Sequence, residues 1–321
     1  IGHDGWRDFR PYAKGYKADG PLGGEVWPDA SNFLLGDQLG VLFGSAVDGS
    51  VDAVVTFSDP VPVRTIFELI GLPGEDAARI NQLVSDTGAL LDGITRRDGM
   101  SSAMHAAMEL TAYVREHLDR ALALPAEQRR GLLGVFSTQI EAGEVSAGEV
   151  GDMLVVLVSA GSETTASLIA TTIETLARDP ELQQHLRAHP EDLPDALERV
   201  LRADGPFQFH YRYAPHDTEL GGVSIPAHSR VLLMWAAANR PAPGDAPAPD
   251  VDPERGPAPH FAFGRGLHFC IGAPVARLEA RIAIERLLER ITGFELDAAH
   301  PPTQRPSIFI RRHATLPIRV N

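Results

Sequence analysis

The chain contains one cysteine, Cys270, in the segment Phe263-Gly264-Arg265-Gly266-Leu267-His268-Phe269-Cys270-Ile271-Gly272. One cysteine in 321 residues excludes an internal disulfide or a multi-cysteine zinc site, so Cys270 acts alone, as a nucleophile or as a single metal ligand. A tight glycine turn just before a helix suits the second role. It aims backbone N–H groups at the sulfur, and the positive end of the helix favours the thiolate. Gly264 and Gly266 allow backbone angles denied to other residues, and Gly272 lets the helix start lie close to a flat cofactor. The competing reading is an ordinary buried cysteine at a helix start.

A second constellation is Ala160-Gly161-Ser162-Glu163-Thr164-Thr165. An acid and two hydroxyls inside an apolar helix are costly unless satisfied or used. Their chemistry is proton delivery from a positioned donor; the alternative is that Thr164 and Thr165 bond back to helix carbonyls and bend the helix. A third is Tyr211-Arg212-Tyr213-Ala214 followed by Asp217-Thr218-Glu219-Leu220-Gly221-Gly222. Its Arg212 is either a carboxylate-binding fork or one half of a surface ion pair.

These three segments together resemble the cytochromes P450 of the soluble bacterial kind, most closely in the Cys270 loop and more weakly through most of the chain from Val51. The resemblance implies a mainly α fold with small β-sheets and haem b (iron protoporphyrin IX) as cofactor, with O2 as co-substrate. It implies that Cys270 is the axial iron ligand, which pushes electron density toward the metal and favours O–O cleavage. Phe263 then packs beside the sulfur, His268 and Arg212 reach the haem propionates, Ala160 and Gly161 leave room for oxygen, Thr164 hydrogen-bonds the activated oxygen, and Glu163 relays protons. The same resemblance puts Phe207, Gln208, Phe209, Ile308, Phe309 and His313 on the substrate wall, for a molecule with aromatic or aliphatic bulk and at least one polar group.

The positioning elements follow from periodicity. Val61 to Ile70, after Ser58-Asp59-Pro60, reads as a short apolar helix closed by Gly71-Leu72-Pro73-Gly74, followed by helices from Glu75 toward Gly93, over Ser101–Leu124 and over Ala126–Ala142. The spacing predicts a long helix from Glu149 to Ala177 whose centre, Met153 to Ala160, is apolar on every side and therefore buried all round. Pro180 and Pro190 bracket a short helix, and Pro194 opens another that ends at Asp204-Gly205-Pro206. A hairpin over Thr218–Ile225 and a strand over Arg230–Met234 come next, then a coil over residues 241–259 wrapped on the body. A last helix spans Ala273–Ile291, and Ile308–Ile310 is expected to pair with Leu316–Val320. No repeat or linker divides the chain, so residues 1–321 read as one domain, atypical over 1–50 and family-like over 51–321.

Composition narrows the function classes. At 44% hydrophobic and 22% charged residues the chain is a packed globule. A net charge of −14 argues against nucleic acid, which needs clustered Lys and Arg. No membrane span is expected, since the apolar run from Met153 is interrupted at Ser159 and Glu163. The start at Ile1 resembles neither signal peptide nor anchor, so a cytoplasmic location is expected; the short front is open between a natural short form, a truncation and a sequence lacking some loops.

Two departures from the family stand out. Arg199 occupies the place of the acid that normally pairs with the Arg three residues on, here Arg202; Glu198 is the candidate substitute, with Arg255 as third partner. Residues 1–50 are too short for the elements the family places there. With no Gly-rich strand-turn-helix for a nicotinamide or flavin, electrons must come from a ferredoxin and ferredoxin reductase, docked on Arg265, Arg277, Arg281 and Arg286. The leading reading is a monooxygenase that hydroxylates or epoxidises a small natural product. Oxidative coupling and a non-catalytic partner of another biosynthetic enzyme are the alternatives.

Overall fold

The computed structural model describes residues 49–91, 97–240 and 259–320. Strand β1 (Ser50–Asp52) leads through a π-helical turn, Val54–Ser58, into α1 (Pro60–Ile70). Helices α2 (Ala77–Gly88), α3 (Arg97–Ala123), α4 (Gly131–Glu141), α5 (Ala147–Arg178), α6 (Pro180–Ala188) and α7 (Leu193–Asp204) follow. Four short strands, β2 (His210–Tyr213), β3 (Thr218–Leu220), β4 (Val223–Ile225) and β5 (Arg230–Leu233), precede the single turn α8 (Trp235–Ala238). After the Cys270 loop come α9 (Ala273–Arg290), β6 (Phe294–Leu296), β7 (Thr303–Gln304), β8 (His313–Thr315) and β9 (Pro317–Val320). The expected mainly α fold with small antiparallel sheets is the observed one.

Two apolar cores share α5. Its C-terminal half, Leu168 to Ala177, packs with α6, α7, α9, β1 and β9; its N-terminal half supplies Val150, Leu154 and Val158 to a second core with α1, α2, α3 and α4. Among the described residues α5 alone is long and apolar enough to cross a membrane by composition, and half of its most apolar window is buried here as the spine of these cores. Its start is fixed by a capping box: Ser146 Oγ accepts from Glu149 N at 3.2 Å while Ser146 N donates to Glu149 Oε2 at 3.0 Å.

Three expectations need correction. The helix from Glu75 stops at Gly88 rather than near Gly93. The expected helix over Ala126–Ala142 is a 3-10 turn, Ala126–Gln128, and α4, separated by the extended Arg129-Arg130 just ahead of Gly131. Gly131 has φ +57°, and a Cβ there would lie 2.5 Å from the Ile70 carbonyl carbon, so the backbones of α1 and α4 meet where no other residue fits. The strand expected over Arg230–Met234 is β5, which pairs with β2, Arg212 opposite Val231. The C-terminal strand pairs with β1 and β6, Val51 opposite Ile318 and Leu296 opposite Ile318, whereas Ile310 bridges only Phe207. Most of the coil expected over 241–259, and nearly all of the short front, lie outside the described residues.

Ser146→Ala removes the box that starts α5 and is expected to cost about 1 kcal/mol, read as a lowered thermal unfolding midpoint, with Ser146→Asn restoring most of it.

Candidate active site

Cys270 is exposed, which rules out the buried-cysteine reading. Its loop is a chain of tight turns: Gly264 N donates to Phe261 O at 2.8 Å, Phe269 N to Gly266 O at 3.0 Å, and Cys270 N to Phe263 O at 2.9 Å. Gly264 and Gly266 hold φ of +70° and +78°, the left-handed region that only glycine enters at no cost. Helix α9 opens three residues after the cysteine, with Gly272 as its N-cap. Around the thiol stand Leu267, Phe269 and Ile271, exposed to 96%, 45% and 88%. Three large apolar side chains open to water on one loop mark a surface built to be covered.

The loop is anchored from both sides. Glu198 of α7 accepts from Arg277 Nε at 2.6 Å and Nη2 at 2.8 Å, and its Oε2 lies 3.0 Å from His260 Nε2. His260 precedes the loop and Arg277 follows it, and the Arg277 guanidinium lies 4.4 Å from the centre of the Phe263 ring. Burial opposes ionisation of Glu198, but the Arg277 and His260 hydrogen bonds outweigh it and hold the carboxyl down at about 2. Glu198 therefore has an ionic role, with Arg277 and His260 rather than the expected Arg202. Arg255 lies outside the described residues.

The centre of α5 is not buried all round. Met153, Val156, Ala160 and Thr164 recur at three- and four-residue spacing on one face; Met153 and Val156 are 41% and 63% exposed, Ala160 is exposed and Thr164 half-buried. The Thr164 hydroxyl donates to the Ala160 carbonyl at 2.8 Å, and Ser159 and Ser162 bond back in the same way. Gly161 does not lie on that open face: a Cβ there would sit 3.1 Å from Ile66 of α1, so its small size serves helix packing. Glu163 turns toward Arg312, whose guanidinium also donates to Asp59 Oδ2 at 2.7 Å.

Behind this face, Glu279 of α9 is hydrogen-bonded to Thr65 of α1 and Thr165 of α5, and burial pushes its carboxyl up to about 8. Glu279 shares a stripe with the buried Ala283 and Leu287, so an acid on an apolar helix face was the available sequence signal.

Other expected site residues scatter more widely. His268 is exposed in the 3-10 turn Gly266–His268. Arg212 Nη1 donates to the Tyr211 carbonyl at 2.8 Å. Gln208, Phe209, Ile308 and His313 line one cavity of about 660 Å³ that neither Cys270 nor Thr164 lines. Phe207 and Phe309 pack against each other, ring centres 5.1 Å apart and planes tilted by 58°, outside its lining. His313 is buried with Nε2 at 2.7 Å from Glu174, whose carboxyl that bond chiefly holds at about 2. Three of the four arginines expected to form a docking patch are occupied: Arg277 by Glu198, Arg281 by Glu285 at 3.5 Å and Arg286 by Glu289 at 2.7 Å.

A family model described as Cytochrome P450 matches residues 193–315. The chain is 39% identical over 274 residues to cytochrome P450 144 of Mycobacterium tuberculosis, covering 85% of this chain and 62% of that one. It is 34% identical over 262 residues to the mycinamicin IV hydroxylase/epoxidase of Micromonospora griseorubida, covering 81% and 64%. The crystal structure of Mycobacterium smegmatis CYP164A2 in its ligand-free state superposes with a TM-score of 0.81 at 30% identity, over 92% of this chain and 75% of that one. The chain belongs to the cytochrome P450 family. It spans just over three-fifths of the length of the two curated relatives.

The P450 cofactor is haem, and the residues present fit it. A lone exposed thiol at a helix start, ringed by uncovered apolar side chains, is a donor set for a flat apolar macrocycle with one thiolate bond. The P450 loop is held by Glu198, and Glu198→Ala is expected to lower the haem-to-protein absorbance ratio of the purified protein several-fold, while Arg202→Ala leaves it near wild type.

Glu279 supplies a second test. Its folded pKa lies above its unfolded value, so the folded state keeps a proton that the unfolded state loses. Stability therefore falls as pH rises from about 4.5 to about 8 and is level beyond. Glu279→Gln is expected to remove that slope from pH-dependent thermal unfolding.

Proposed function

We propose that this P450 is a haem-thiolate monooxygenase that hydroxylates or epoxidises a small, natural-product-like molecule in the cytoplasm, with haem b held by Cys270 and electrons delivered by a ferredoxin and its reductase. Substrate, O2, two electrons and two protons give oxygenated product and one water. Bound haem supplies the reductive activation of O2, helped by electron density from the thiolate.

The observation that carries this reading is the Cys270 loop itself, one exposed sulfur among uncovered apolar side chains, on a chain whose α5 also carries an uncovered apolar stripe. The loop's tight turns present Cys270 just ahead of α9, the position from which a lone sulfur would hold the haem iron. Phe263, pinned under Arg277, holds the loop's shape, and His268 and Arg212 would be the hydrogen-bond donors to the propionates. On α5, Met153, Val156 and Ala160 exclude water, leaving Thr164 Oγ1 as the polar atom of the stripe. Its bond to the Ala160 carbonyl fixes the hydroxyl proton, which Thr164 hands on while Glu163 replaces it. Substrate selection falls to Phe207, Gln208, Phe209 and Phe309, an aromatic wall with one amide, which favours bulky, mainly apolar molecules bearing a polar group. The relative named as a mycinamicin IV hydroxylase/epoxidase supports that substrate class. The occupied Glu198 weighs against a P450-like protein without turnover, because it ties α7 to both flanks of the Cys270 loop through Arg277 and His260.

The test is the absorption spectrum of the dithionite-reduced protein under carbon monoxide. Wild type is expected to show the strongly red-shifted Soret band of thiolate-ligated haem, and Cys270→Ala to lose it together with product formation; an unchanged band in that variant would overturn the ligand assignment.

A further inference from the structure

The histidine that opens β2 sits in an aromatic cage. His210 is half-buried, with the ring centres of Phe207, Phe309 and Trp235 at 4.7, 5.4 and 6.3 Å from its own. Backbone bonds fix the cage: Gln208 N donates to Phe309 O at 3.0 Å, and Ala236 N donates to Gln208 O at 3.1 Å. Strand pairing puts His210 opposite Leu233, two residues before Trp235, and so brings the indole beside the imidazole. Trp235 Nε1 donates to His210 Nδ1 at 2.8 Å, while the indole itself stacks on Phe261 with ring centres 6.3 Å apart. An indole N–H can only donate, so Nδ1 carries no proton and the imidazole proton lies on Nε2. Nε2 has no hydrogen-bond partner among the described residues and is not closed off. Burial, and after it the charge of Arg212, lowers the His210 pKa and keeps the ring neutral. His210 and Arg212 are the half-buried residues of β2, Tyr211 and Tyr213 its exposed ones, so His210 and Arg212 share a face by the strand's two-residue period.

An N–H held in one tautomer among apolar rings works in one direction: it answers an acceptor and offers nothing to a donor. We propose that His210 is a specificity-determining residue that donates from Nε2 to a carbonyl oxygen of an otherwise apolar substrate, with Trp235 as the positioning residue that fixes the proton. The inference deepens the monooxygenase reading and rests on it for placing substrate at the Phe207 and Phe309 wall; the cage stands on geometry alone. A carboxylate is answered better by the permanent cation of Arg212, two residues along the same face, which leaves the neutral donor to a neutral acceptor. The oxygen of a ketone, ester or lactone carbonyl offers only lone pairs, and its flanking carbons pack on the rings of the cage. A substrate with a methylene in that place strips water from Nε2 and returns no hydrogen bond, so the site discriminates against it.

The experiment titrates the purified holoprotein by calorimetry with an isosteric pair, 2-acetylnaphthalene and 2-ethylnaphthalene, which differ only in C=O against CH2. Wild type is expected to bind the ketone about tenfold more tightly, the worth of one neutral hydrogen bond. In His210→Phe the ratio is expected to fall to about one through loss of ketone affinity, with the hydrocarbon bound as in wild type. Trp235→Phe frees Nδ1 to take the proton and is expected to lose several-fold of the preference with His210 still in place, so it decides the question even where His210→Phe fails to fold. A merely structural indole weakens both probes alike and leaves the ratio unchanged, which overturns its positioning role. Equal binding of the two probes by wild type, binding of neither, or a preference that survives in His210→Phe overturns the proposal. An unchanged preference together with a lowered haem-to-protein absorbance ratio in His210→Phe assigns His210 to a propionate instead, and overturns it too. The reduced carbon monoxide band reports separately: if wild type lacks it the monooxygenase reading fails, while a ketone preference that depends on His210 still upholds the donor.

Discussion

One helix has to satisfy three environments, and most of the structure follows from how it does so. Helix α5 gives its first half to one core and its second half to the other, and where the cores separate it leaves a face open. A sequence meeting those demands is apolar almost throughout, with hydroxyls that bond back to the helix and so need no outside partner. The open stripe from Met153 to Thr164 costs stability that the two cores supply. Placing the reactive residues on the shared spine, rather than on a loop, fixes them against both halves of the molecule at once.

The polar groups around the site are joined across elements rather than along them. Glu198 links α7 to both flanks of the Cys270 loop; Glu279 links α9 to α1 and α5; Arg312 links the C-terminal segment to α1 and α5. Groups of this kind contribute little net stability, because desolvation offsets most of the attraction, but a displaced element leaves a charge or a polar group stranded. They specify where α1, α5, α7 and α9 sit relative to the thiol. The apolar cores alone would tolerate small shifts between those helices.

The sequence showed the elements better than their partners. Proline, glycine and apolar spacing located α1, α6, α7 and α9 closely, because those signals are local. The break at Gly131 was missed, since it comes from the backbone of Ile70, sixty-one residues earlier. The Cys270 loop was legible because its glycine spacing permits few alternatives. Glu198 was read as an acid needing a partner, but the partner was wrong: Arg202 is close in sequence, and Arg277 is close only in the fold. The same limit hid the open face of α5, where periodicity reports that a residue is apolar without reporting what covers it. Strand pairing at the C-terminus failed for the related reason that β9 is claimed by β1.

That last pairing sets an order of events during synthesis. Ser50 lies opposite Arg319 and Val51 opposite Ile318, and Leu316 and Ile318 belong to the same core as Val54 and Phe57. A loop of more than 260 residues must close before this sheet forms, and the contact cannot be made until the last strand has left the ribosome. The second core, built from residues 63–158, draws on nothing so distant and is free to condense first. The nascent chain thus carries one finished half and one unfinished half from the emergence of residue 158 until that of β9, with the Cys270 loop emerging into the unfinished one. Completion of the core beneath that loop is timed by the arrival of a four-residue strand that follows it in the chain.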